Sequence, residues 1–239
     1  MALIRRIFSG TNWKHAAAEL ALIVIGVTIA LWADAWVGDR QDSHRENARL
    51  DALFTDTEET LAAISAVRLE VSDAAVALRG ILSLQPPYEP HDETLKLLRH
   101  GLLFGLAFHP EMSVYDDLKN SGELALLTNP VLRQALSSME AGLEQLRMTQ
   151  ADLTTVQQLN VDSYMVDHME LISFYGELTG LQRVATGTEA DLGFVGEREF
   201  RNRVLLKLDL VTQLESVLEE AESRVNEVKR RIAMETESR

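Results

Sequence analysis

Residues 13–36 read WKHAAAELALIVIGVTIALWADAW. Between Leu20 and Ala33 nothing is charged, and tryptophans stand on both sides, Trp13 before the run and Trp32 and Trp36 at its far end. Indole rings settle at the headgroup level of a bilayer, so these read as two aromatic belts. From Trp13 to Trp36 is ~35 Å at helical rise, which crosses a hydrocarbon core of about 30 Å with some tilt. Arg5, Arg6 and Lys14 precede the run, and Asp34, Asp39 and Asp42 follow it. A basic flank stays cytoplasmic. The expected organisation is a cytoplasmic basic segment over 1–15, a transmembrane helix over 16–36 and an extracytoplasmic helical domain over 37–239. That places the chain in a bacterial inner membrane with its bulk in the periplasm. A cleaved signal peptide is the rival, because Ala33-Asp34-Ala35 is a small-x-small site. The tryptophans bracketing that site, and a helical pattern running on through it, favour a retained anchor.

One face of this helix carries more. At about 100° per residue, Gly26, Ala30 and Ala33 fall within about 40° of Glu19. Small residues let a second transmembrane helix approach closely, and an acid within a span faces protein or a cavity more often than lipid. Glu19, Gly26, Ala30 and Ala33 are therefore the candidate membrane-helix interface. The alternative for Glu19 is that its carboxylate snorkels to the inner headgroups.

Outward from this stretch the chain reads as helix. Its 239 residues hold 13 glycines, 5 prolines and no cysteine, which favours long helices and excludes disulfides and thiolate chemistry. Apolar residues recur at Leu50, Leu53 or Phe54, Leu61, Ile64, Val71, Ala75, Leu78 and Leu82, close to three-four spacing. QPPYEPH (85–91) ends that helix. A second helix is predicted from Asp92 through LKLLRHGLLFGLAF to Pro110. A short one over 113–121 closes at Gly122, a left-handed cap. Asn129-Pro130 opens a helix to about Phe174 as cap and first-turn proline, with Val131, Leu132, Leu136, Met139, Leu143, Leu146, Leu153, Val156 and Leu159 on its inner stripe. Residues 175–196 hold five glycines and read as irregular. A last helix runs from about Glu197 to Glu235. The fold class is all-α, a transmembrane helix continuing into an antiparallel bundle of about four helices.

Two segments resemble an uncharacterised family of bacterial single-pass membrane proteins. Glu19, Val24-Ile25-Gly26, Ala30-Leu31 and Trp36 resemble its "GE…VIGILIALxxNxW" opening, with Ala18 and Asp34 departing from it. Tyr115, Leu118-Lys119, Ser121-Gly122, Leu124, Leu127, Asn129 and Leu132-Arg133 resemble its "TYxxLKxSGxLxLIxNxxLRxxL" block, with Val114 departing. The resemblance implies a membrane-anchored helical protein and brings no catalytic residues. Read physically, the second block is a helix–turn–helix corner. Tyr115, Leu118, Lys119, Ser121, Gly122, Leu124, Asn129 and Arg133 are either its structural framework or a docking corner for a partner.

Reaction chemistry is faint. There is no phosphate loop, nucleophile elbow or zincin motif. Asp162, Asp167, His168 and Glu170 are metal-like in type, but adjacent helical residues diverge by about 100° and do not converge on one ion. His91, His100 and His109 spiral around a helix. The acidic runs at 56–59 and 219–222 read as solvated faces. Tyr164, Phe174, Tyr175, Phe194 and Phe200 read as an aromatic cap. A formal charge of −14, from 23 basic and 37 acidic residues, disfavours nucleic acid as a partner. The expected function is non-enzymatic and cofactor-free: an interaction or scaffold protein, an accessory subunit of a larger membrane complex such as a respiratory or photosynthetic one. Its partners would be membrane lipid and other membrane subunits, or itself. A periplasmic sensor or small-ligand-binding bundle signalling through a partner is the alternative.

Overall fold

The computed structural model describes residues 13–110, 112–169, 171 and 192–237. Among them there is no strand, and the all-α class holds. Helix α1 spans Trp13–Ser83, α2 Asp92–Leu102, α3 Ser113–Ser121 and α4 Pro130–Val156. A π-helical turn, Gln157–Asp162, joins α4 to α5, Ser163–His168, and α6 spans Arg198–Glu237. Residues 1–50 and 51–239 form two compact units.

In the first unit α1 carries no charge between Leu20 and Ala33. Leu20, Leu22, Ile23, Val24, Ile25, Val27, Ile29, Leu31, Trp32, Trp36 and Val37 are each 46–75% exposed. Thr28 satisfies its hydroxyl within the helix by donating to the Val24 carbonyl at 2.8 Å. This is a helix long and apolar enough to cross a membrane.

The second unit is built on α1, α4 and α6. Helix α6 runs antiparallel to α1: Lys229 pairs with Glu58 at 2.8 Å, Arg68 with Glu222, and the Arg201 guanidinium donates to the Leu82 carbonyl at 2.6 Å. It is antiparallel to α4 as well, through Arg224 on the Ser138 carbonyl at 3.0 Å and Asn129 on Glu235. The α6 core stripe is Phe200, Val204, Lys207, Val211, Leu214, Leu218, Ala221, Val225, Val228 and Ile232, all buried. Its spacing alternates four and three without a break, the seam of a helix packed along its length. Helix α2 folds back on α1 through close glycine contacts. A Cβ on Gly101 would stand 2.8 Å from Ile81 Cδ1, and one on Gly80 2.8 Å from Leu97 Cδ1.

The structure departs from expectation where tertiary bonds compete with periodicity. Helix α2 stops at Leu102, and residues 104–110 have no regular secondary structure. Val131 and Leu159, expected inside, are exposed. At Leu159 the cause is the π turn, whose extra residue sends Val161 inward and leaves Leu159 69% exposed. Asp56, expected in solvent, is buried. The glycine-rich excursion and Phe174 and Tyr175 lie largely outside the described residues. The visible end, Gly193–Gly196, is a 3-10 turn.

Candidate functional site

Lys207 is wholly buried, at 0% exposure. It occupies one slot of the apolar α6 stripe, so the packing of that helix against its neighbours carries the amine inside. Three acceptors meet its Nζ: the Leu102 carbonyl at 2.9 Å, the Phe104 carbonyl at 2.8 Å, and Gln157 Oε1. The Gln157 amide then donates to the Leu102 carbonyl at 2.9 Å and to Asp162 Oδ1 at 2.6 Å. Gln150, about two turns earlier on α4, donates to the Leu106 carbonyl at 3.4 Å.

These bonds explain why LLFGLAF does not stay helical. The carbonyls of Leu102, Phe104 and Leu106 are each captured by a side chain from α4, the π turn or α6. The π turn is held from α6 too: Arg203 donates to the Asn160 carbonyl at 2.7 Å and lies 5.2 Å from the Tyr164 ring. Burial pushes the Lys207 amine down to about 7, against the pull of the Asp162 carboxylate. A void of about 10 Å³ beside this cluster is lined by Leu102, Val161, Tyr164, Met165, Phe200 and Val204, with Arg203 at its edge. That is room for a single water. The amine therefore fastens three elements.

The aromatic group is partly assembled as read. Phe194 packs edge-on against Phe200 at 5.1 Å, Tyr164 lies 5.7 Å from Phe200, and His168 stacks on Tyr164 at 4.1 Å. Burial and a hydrogen bond to Glu197 push the Tyr164 phenol up to about 12. Of the metal-like set, Asp162 serves Gln157 and His168 serves Tyr164, while Glu170 lies outside the described residues.

The corner residues come together as a framework. Tyr115 and Leu118 are buried, and Leu124 is half-buried. Glu140 on α4 accepts from the Tyr115 hydroxyl at 2.9 Å and from Lys119. The lysine bond, then the tyrosine bond, hold its carboxyl below the usual range, while burial raises the Tyr115 phenol. Gly122 takes φ 78°, the left-handed cap read from sequence. Ser121 Oγ bonds back to the Leu118 carbonyl at 3.4 Å. Asn129 caps α4 by accepting from Val131 N at 2.9 Å and Leu132 N at 3.3 Å, and Arg133 donates to the Leu127 carbonyl. The buried Asp56 of α1 accepts from Val114 N at 3.0 Å, the opening turn of α3, and burial raises its carboxyl against those backbone bonds. In the first unit Glu19, Gly26, Ala30 and Ala33 are all exposed, with open space where a Gly26 Cβ would stand.

Lys207, Gln157, Asp56 and Glu140 were not singled out by motif. The α6 spacing alone held a signal for Lys207, since an unbroken four-three stripe passes through a lysine. Compared with family models, curated proteins and solved structures, the chain finds no match.

Proposed function

We propose that this chain is a membrane-anchored, non-enzymatic interaction protein: an accessory subunit beside a larger integral membrane complex, of the respiratory or photosynthetic kind. One observation carries the reading. Eleven large apolar side chains between Leu20 and Val37 are exposed on one helix, a surface that only lipid or another transmembrane helix covers favourably. Glu19 and the small residues Gly26, Ala30 and Ala33 give that helix one face suited to a protein neighbour. The basic residues before it support a cytoplasmic N-terminus, with the second unit in the periplasm. The likeness of the opening and of residues 114–133 to single-pass membrane proteins supports the same arrangement.

The test is gentle detergent extraction of the tagged full chain, affinity capture and mass spectrometry. A defined integral membrane complex should be recovered at fixed stoichiometry and should be lost with Gly26→Leu and Glu19→Leu. Recovery of the chain alone, or an unchanged complex with both variants, overturns the reading.

A further inference from the structure

We propose that Lys207 is a proton-operated latch that fastens the end of α2 and the irregular segment after it to the π turn and α6, and that proton uptake by the amine releases it. The geometry carries the inference. A single amine, without solvent access, holds two carbonyls of the 102–104 backbone and one side chain of the π turn. Gln157 and Gln150 hold the flanking carbonyls of Leu102 and Leu106 and Lys207 holds that of Phe104, so lifting this segment opens a route by which water reaches the amine.

The charged groups around the amine are few. The π turn brings the Asp162 carboxylate, itself hydrogen-bonded to Gln157. On α6, one turn back, Arg203 is engaged with Asn160 and Glu199. On α2, Arg99 folds back on the Leu95 carbonyl and His100 is exposed. At the level of Gly101, α1 offers Leu78 and Ile81, which carry no charge. On α5, His168 is stacked on Tyr164.

Closed, the amine holds its proton weakly because burial penalises the ammonium, and its titration is centred about 7. Opened to water it returns toward the ordinary value of about 10.4. Between those two values the open state binds the extra proton. Each unit fall in pH therefore favours opening about tenfold, and the response levels off once the closed amine is charged too. Three acceptors around the amine keep the closed state available on the acid side, because an ammonium has three N–H groups to give them.

The chain has no cysteine, so one introduced residue takes a spin label cleanly. The full chain in detergent is labelled at Ala107, exposed on the segment after α2, and as a control at Ser216, exposed on α6. The Ala107 mobile-to-immobile ratio should rise about tenfold per pH unit from 9 to 7 and then flatten, while the Ser216 label stays unchanged. In Lys207→Met the pH response should vanish, although every histidine and carboxylate is retained. Asp162→Asn removes the carboxylate that helps the closed amine keep its proton, so its plateau should move to lower pH. A flat wild-type response, an equal response in Lys207→Met, or an unmoved plateau in Asp162→Asn each overturns the latch. If Lys207→Met does not fold, the Asp162→Asn displacement decides alone.

Discussion

Helix α1 between Leu20 and Val37 exposes leucine, isoleucine, valine and tryptophan to its surroundings, while α6 buries a lysine completely. Both arrangements invert the usual rule, and the inversion has a different cause in each. In the first unit no other described element supplies a partner surface, so an apolar helix is left bare and must find its cover elsewhere. In the second, α6 has neighbours along its length, and a position in the middle of a packed stripe is interior whatever side chain it carries. The cost of desolvating that amine is offset by three acceptors, of which the Leu102 carbonyl has a second donor in Gln157 and the Phe104 carbonyl and Gln157 Oε1 rely on the amine. Hydropathy therefore says what a residue prefers, and the number of neighbouring elements says what it gets.

The comparison breaks most completely if charge is put on the bare helix. Ile25→Asp with Val27→Asp places two carboxylates mid-span, at about 3 kcal/mol each in a bilayer centre. The chain should then leave the carbonate-resistant membrane pellet, while the second unit keeps its helical circular dichroism. Loss of helicity there instead would show that the two units depend on each other for folding.

The next effects lie inside α6 and sharpen the contrast between two buried neighbours on one stripe. Leu214→Ala removes a wholly buried side chain and should cost ~3 kcal/mol in urea unfolding. Lys207→Met keeps the stem and trades the amine for a thioether, so it should cost no more than ~2 kcal/mol. The sign of the pH dependence separates them further. A lysine whose folded value lies below its unfolded one destabilises the fold when charged. Stability should rise with pH from about 7 toward 10 in wild type and in Leu214→Ala, and that rise should be missing in Lys207→Met.

The smallest effect belongs to the corner. Tyr115→Phe removes the hydroxyl bonded to Glu140 but leaves the ring buried and Lys119 paired. It should cost about 1 kcal/mol or less. Glu140 is held below its usual range, so what it adds is present at neutral pH and lost on acidification below the ordinary glutamate range. An acid titration of Tyr115→Phe alongside wild type reads this.

Much of the fold was legible because it rests on local chemistry. Three prolines in 85–91 end α1, Asn129 before Pro130 caps α4, and Gly122 takes the only positive φ recorded among the described residues. The inner faces of α4 and α6 follow from apolar spacing. What stayed hidden rests on bonds between distant residues. The end of α2 is set by Lys207, more than a hundred residues away. The π turn that exposes Leu159 belongs to the same cluster, and Asp56 looks solvated in sequence until α3 comes to sit on it. The corner was read in outline, but Glu140, the acceptor that joins Tyr115 to Lys119, lies outside the block that drew the eye.

That last arrangement has a consequence for the order of events in folding. Helix α3 is nine residues long, too short to persist by itself in water, and its opening amide is received by Asp56 of α1. Its helicity is thus on loan from a partner more than fifty positions upstream. The 113–121 segment has no stable shape of its own to offer a nascent chain. If it takes form only once α1 and α4 are in place, its substitutions should change how fast the protein comes apart more than how fast it comes together.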